Sequence, residues 1–382
     1  MNRRALVSAV VGLACDGGRH ASTDAASSVD AASVDAASVD APMAIACPPG
    51  SRLFAEPTAC EVRQVPPPES LATGDAPPGT IVSLDGLAEG TLPCLPAVVC
   101  IPVESTTMVF SDDPEATSTN GVLYADVVGP GRVRIYVYHV NGGTPGRKFT
   151  VALLEQDGLA TTATIVKRAL ATGTDYVAIG KSVAAAWLAS NLSTAVAVPP
   201  NTRVVLDPAL DTVSAGHGEL VHAIYDIVLD HPVKLSVVSL AAGADTVAST
   251  GGLPLLPNDG AHDRGTFPTA DLWIAGVPRD GSTVRHLRLG ADDALAGRDA
   301  TTSQPARLRG NYGVAYRIVA PSTDRRFAIS ARGGAWAGAT NELALGPLDT
   351  ATDAIWLGTD DDFTVVTGGG SSLPIDVVVI DP

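Results

Sequence analysis

The sequence predicts an all-β protein: two β-sandwich or jelly-roll-like domains behind a signal peptide and a disordered linker. Three observations lead there. Hydrophobic residues make up 46% of the 382-residue chain but aromatics only 4%, so its apolar content is mostly Ala, Val, Leu and Ile. Glycines (38) and prolines (28) punctuate it throughout, as short strands and turns require. Beyond residue 104, short β-branched or alternating runs recur between turn residues.

The first element is an export signal over 1–14. Met1-Asn-Arg-Arg4 supplies a positive start, and Ala5 to Ala14 an apolar core too short to span a bilayer. Gly12-Leu13-Ala14-Cys15 resembles the lipobox of bacterial lipoproteins, with Gly12 where leucine usually stands. That resemblance implies cleavage before Cys15 and a lipid on its thiol. The alternative is an ordinary secretory cut near Ala14, which also exports the chain.

Residues 15–46 read as a tether. Ser-Val-Asp-Ala-Ala recurs with period five, placing Asp30, Asp35 and Asp40 in register. That period fits neither a helix nor a strand, so no apolar face forms and the segment is expected to stay solvated. Thirty such residues reach roughly 100 Å when stretched.

Residues 47–103 are proline-rich and hold Cys47, Cys60, Cys94 and Cys100, an even set suited to disulfides outside the cytoplasm. Sequence leaves three pairings open; the local ones, Cys47 with Cys60 and Cys94 with Cys100, are preferred. A zinc site fails on spacing, because the region holds neither a CxxC pair nor a histidine.

The first β domain is expected over 104–250. Val133 to Val140 and Phe149 to Leu154, joined by Asn141-Gly-Gly-Thr-Pro-Gly146, read as a hairpin. Further strands are expected at 121–128, 161–168, 195–198, 202–206, 219–229 and 232–240, with Asp230-His-Pro232 as the turn between the last two. The run 181–189 reads as a helix. A loop over 241–266 leads to a second β domain over 260–382, with strands near 271–276, 284–289, 313–319, 326–331, 354–357, 363–366 and 375–380. A single large β unit with strands exchanged between the halves is the alternative.

The formal charge of −16, which becomes −18 once Arg3 and Arg4 are removed, repels phosphate backbones and anionic headgroups. Nucleic acid is therefore not an expected partner, and membrane attachment rests on lipid at Cys15.

Motifs for chemistry are sparse. Asp175-Tyr-Val-Ala-Ile-Gly180-Lys181-Ser182 reads as a strand running into GKS and a helix, but Asp175 stands where a P-loop needs glycine, leaving a strand-to-helix turn with Lys181 solvated. His217, Glu219 and His222 sit on a strand, not on the helix an HExxH site needs, so His222 and Asp226 are expected on a polar outer face. Asp360-Asp361-Asp362 offers oxygen ligands for a structural calcium but lacks the alternating spacing that wraps an ion. No GxSxG elbow occurs. Arg264, Asn311, Tyr312, Arg332 and Trp336 lie in glycine-rich clusters and would form a small-molecule or glycan pocket if they converge; otherwise the arginines pair with aspartates inside the fold.

Ser111-Asp-Asp-Pro-Glu115, Gly121-Val-Leu-Tyr124, Tyr136-Val-Tyr-His-Val-Asn141, Tyr176-Val-Ala-Ile-Gly-Lys181, Arg264-Gly-Thr-Phe267, Gly310-Asn-Tyr-Gly-Val-Ala-Tyr316 and Ala331-Arg-Gly-Gly334 follow in order over about 110–340. They resemble segments of exported bacterial lipoproteins of unknown function, similar to proteins labelled as carrying a copper amine oxidase N-terminal, or stalk, domain, a label that describes a neighbouring module. The resemblance implies no oxidase. That chemistry needs copper-binding histidines and a modifiable tyrosine before Asp or Glu, whereas Asn311-Tyr312 precedes Gly313.

The expectation is a lipid-anchored protein of the bacterial envelope, at the outer membrane or cell surface, whose non-catalytic β body binds or scaffolds envelope glycan or protein. No cofactor is expected beyond that calcium. The alternative is an exported hydrolase of glycans or peptides, with acids from 226–299 or 349–362.

Overall fold

The computed structural model describes residues 47–55, 76–84, 97–275, 283–291, 293–319, 325–341, 343–349, 352–359 and 362–381. The predicted signal and tether, with Cys15, lie outside them, as do Cys60, Cys94, Asp292, Asp360 and Asp361.

Among the described residues, strands dominate and form four sheets. The first runs β1 (Ser51–Ala55), β3 (Val98–Pro102), β15 (Asp271–Ala275), β19 (Ala315–Val319), β24 (Asp362–Thr367), β21 (Trp336–Thr340), β22 (Ala344–Leu348). The second runs β10 (Thr194–Val198), β9 (Thr161–Gly173), β12 (Leu220–Leu229), β7 (Gly131–Asn141), β4 (Thr107–Ser111), β14 (Arg264–Phe267), β17 (Leu295–Asp299), β18 (Gln304–Leu308), and β5 (Ala116–Thr117) also pairs with β7. The third holds β11 (Arg203–Val205), β8 (Arg147–Glu155), β13 (Val233–Ala241) and β6 (Gly121–Val128). The fourth holds β16 (Thr283–Leu289), β25 (Ile375–Asp381), β20 (Arg326–Ala331), β23 (Asp353–Gly358) and β2 (Ile81–Ser83).

Burial on both faces explains the apolar density of β7. Val133, Ile135 and Val137 pack with Phe149, Val151, Leu153 and Val237 of the third sheet. Tyr136, Tyr138 and Val140 enter a second core with Leu272, Ile318, Val365 and the helix α1 (Tyr176–Ala189). A strand buried on both sides reads as a nearly continuous apolar run, which Val133 to Val140 does.

That burial overturns the hairpin assignment, while Asp230-His-Pro232 is the expected turn between its two strands. β7 pairs with β12 and β4, while β8 pairs with β13 and β11, so the loop 142–146 crosses between sheets instead of closing a hairpin. Residues 230–232 likewise connect β12 in the second sheet with β13 in the third. In each case both strands are apolar enough to line the same core from opposite sides, and local spacing cannot tell that from direct pairing.

The boundary near 250–260 does not separate two sheets. β14 lies across it in sequence yet pairs directly with β4, Arg264 opposite Ser111 and Phe267 opposite Met108. Residues 44–382 accordingly form one compact unit, with strands exchanged between halves. The helix starts before the expected residue 181, because the Asp175 carboxylate caps it by accepting from Ala178 N at 3.0 Å. No helix among the described residues is long and apolar enough to cross a membrane.

The cysteine pairing is also corrected. Cys47 and Cys100 form a disulfide, their Cα atoms 5.9 Å apart, which rules out both preferred local pairs. The antiparallel ladder puts Leu53 of β1 opposite Cys100, and a turn just before β1, with Ser51 N donating to Pro48 O at 3.1 Å, folds Cys47 back to it.

Candidate functional site

The five residues of the predicted pocket do not converge on one opening. Arg264 is 4% exposed; its Nε donates to Asp299 Oδ2 at 3.1 Å and its Nη1 to the carbonyls of Asp113, Leu123 and Leu256. Asn311 is fully buried, accepting from Leu295 N and donating to Asp293 O and Tyr316 Oη. Arg332 donates to Asp376 Oδ2 at 2.6 Å, and Trp336 is fully enclosed. Tyr312 lines one cavity, with its hydroxyl donating to Ser371 O at 2.6 Å, and Arg264 borders a different one. The arginines are spent inside the fold, as the competing reading required.

The P-loop lookalike is helical from Tyr176 onward, and Lys181 is partly buried, its Nζ donating to Gly346 O at 3.0 Å. Gly180 is there for packing, since a Cβ on it would lie 1.9 Å from Gly369 O. The polar face expected for His222 and Asp226 is buried too. His222 is 0% exposed, its Nδ1–H donates to Val137 O at 3.0 Å, and burial pushes its pKa down to about 4. No cluster of three metal-binding side chains occurs among the described residues. Of the aspartate triplet, Asp362 is described, and it pairs with Arg317.

Ser111 Oγ lies 2.8 Å from His139 Nε2, and His139 Nδ1 lies 2.9 Å from Pro114 O. Nδ1–H therefore donates to the carbonyl and Nε2 accepts from the serine, a nucleophile–base geometry. Both side chains are completely buried, so no substrate reaches them. Burial also pushes the His139 pKa down to about 4.

A cavity of about 590 Å³ is lined by Asp112, His262, Asp263, Arg307, Arg309 and Tyr312, among others. Asp112 and Asp263 face each other where the β4–β14 ladder ends, with Asp112 N donating to Asp263 O at 3.2 Å. Burial, then the neighbouring Glu115, Asp259 and Asp263 charges, hold the Asp112 carboxyl well above its usual range. Asp263 is instead held by Arg309, whose Nη2 lies 2.8 Å from Oδ1.

The most built arrangement is a cleft of about 470 Å³ between the first and second sheets. One wall is a row across three strands: Arg134 on β7, Asp226 on β12 and Lys167 on β9 stand directly opposite one another. The facing wall is a row across the first sheet, from Trp273 on β15 through Arg317 on β19 to Thr364 on β24. Partners in a ladder share a face, so each row presents its side chains together. Trp187 of α1 closes one end, with the Arg134 guanidinium 4.2 Å and the Lys167 ammonium 4.9 Å from its ring centre.

Arg134 ties the walls together. It contacts Asp226 at 2.8 Å and Asp271 at 3.0 Å, and donates to Ala270 O at 2.7 Å and Gly313 O at 3.1 Å. Burial works against its charge, but the two aspartates outweigh that and raise its pKa. Lys167 is lowered chiefly by burial and donates to Leu188 O at 3.0 Å. Arg317 pairs with Asp362 while lying 4.9 Å over the half-buried Trp273 ring. Exposed Arg132, Glu104 and Asn341 complete the rim.

Sequence reasoning missed this cleft because its residues lie far apart in the chain. The available signal was charge inside three otherwise apolar strands: Arg132 and Arg134 on β7, Lys167 and Arg168 on β9, and Asp226 on β12. A search of protein families and of curated proteins finds no match to the chain.

Proposed function

We propose that this is a lipid-anchored protein of the cell envelope whose non-catalytic β body binds envelope glycan through the Trp273–Arg134 cleft. The carrying observation is the cleft's construction: a half-buried tryptophan faces a fixed row of charged donors and acceptors. Sugar rings use that combination, lying with C–H faces on an aromatic while planar polar groups hydrogen-bond their hydroxyls. The lipobox-like segment ending at Cys15 and the aspartate-rich tether support the placement, holding the body away from a membrane.

The test is co-sedimentation of the full mature protein with purified envelope glycan. Binding that is lost in Trp273→Ala, with the melting temperature kept, is expected; glycan binding unchanged by that substitution would count against the cleft. Mass analysis of the native protein is expected to find a lipid-modified Cys15 at the N-terminus, and an intact Met1 would refute the anchor.

A second reading, an exported hydrolase, is favoured by one observation: Asp112, whose carboxyl burial raises well above its usual range, stands beside the arginine-paired Asp263 in one cavity, and a raised carboxyl is the kind of group that serves as a general acid. It predicts release of reducing ends from glycan that Asp112→Asn abolishes.

A further inference from the structure

We infer that the cleft between the two sheets takes an uncharged, hydroxyl-rich ligand, a neutral sugar unit, and not an acidic or amino sugar. This rests on the glycan-binding reading above and adds the class of sugar.

The argument is the balance of charge across the lining. Arg132, Arg134, Lys167 and Arg317 supply four cations. Glu104, Asp226 and Asp271 line the same space, and Asp362 engages Arg317 from the next strand. The two signs alternate instead of segregating: Arg134 lies between Asp226 and Asp271, and Asp226 lies between Arg134 and Lys167. A carboxylate entering the cleft meets Asp271 and Glu104, while an ammonium meets Lys167 and Arg132. Each charged ligand therefore meets groups of both signs, and repulsion offsets the attraction. A hydroxyl gains from both, because it donates to a carboxylate and accepts from a guanidinium.

Spare bonding capacity fits the same class. The Asp271 side chain is 22% exposed and accepts from Arg134 through Oδ1, while an ionised carboxylate offers about four lone-pair sites. Arg132 is exposed, and its side chain has no hydrogen bond or ion pair among the described residues. Between these polar groups, the half-buried Trp273 ring, which carries the Arg317 guanidinium 4.9 Å from its centre, adds apolar surface of the kind a sugar's C–H face uses.

The experiment is calorimetric titration of the full mature protein at low and high salt. The probes are neutral trisaccharides of glucose, galactose, mannose and N-acetylglucosamine, beside trigalacturonate and triglucosamine. At least one neutral trisaccharide is expected to bind with little salt dependence. Trp273→Ala and Asp271→Asn are each expected to weaken it about tenfold or more, with thermal melting run alongside to confirm folding. Because Asp271→Asn also touches Arg134, Trp273→Phe, which keeps an aromatic face, is expected to retain most of the affinity. A charged trisaccharide binding more tightly, with affinity that falls as salt rises, overturns the neutral class and leaves the glycan reading standing. Failure of every saccharide to bind overturns the glycan reading, and the inference with it.

Discussion

His139 and His222 show how much a single buried residue decides in this fold. Both sit fully buried between packed strands, and burial holds each near pH 4, against a free value of about 6.5. The unfolded chain therefore takes up protons that the fold refuses, and stability falls as pH drops from about 6.5 to 4. The loss reaches about 3 kcal/mol per histidine at the acid end. Urea midpoints at pH 7 and pH 4.5 check this; His222→Gln should flatten the slope, and an unchanged slope would refute it. Neither environment was legible in the sequence. His222 reads as an outer-face residue because β12 alternates cleanly, and nothing local reveals that α1 and the first sheet bury its second face. Arg264 and Arg332 were legible in kind, since arginine next to glycine pairs readily with buried aspartate, but their partners Asp299 and Asp376 are distant in sequence.

At the scale of elements, most strands from 121 to 381 lie where alternating apolar runs put them, and their partners do not. Runs that satisfy one strand's geometry carry no label for the sheet they join, as β7 and β8 demonstrate. The helix α1 docks where Gly180 meets Gly369. Gly180→Ala is expected to lower stability by about 3 kcal/mol through that backbone clash, measured by thermal melting; a neutral outcome would remove the packing role. The Cys47–Cys100 bond stands beside the cleft, because Cys100 is the ladder partner of Trp273. Replacing both cysteines by alanine should cost about 2–4 kcal/mol and shift the tryptophan emission. Unchanged emission would separate the disulfide from the cleft wall.

Across the whole molecule, the exchange of β14 into a sheet built mainly from earlier strands joins what the chain presents as two halves. Arg134 reinforces the joint by reaching Ala270 O and Gly313 O from β7. Residues 97–381 are expected to melt in one calorimetric transition, and two resolved transitions would contradict the interleaved sheets. The all-β class was readable because composition and turn spacing report it directly. The interleaving was not, since it depends on which exposed strand edge a distant segment reaches. The β4–β14 ladder also imposes an order on biosynthesis. As the polypeptide emerges N-terminus first, one edge of β4 waits without its partner until Phe267 has appeared, well after β7 on its other edge is made. A nascent chain of this design carries an open, adhesive border for much of its synthesis, and the late arrival of a four-residue strand is what closes it.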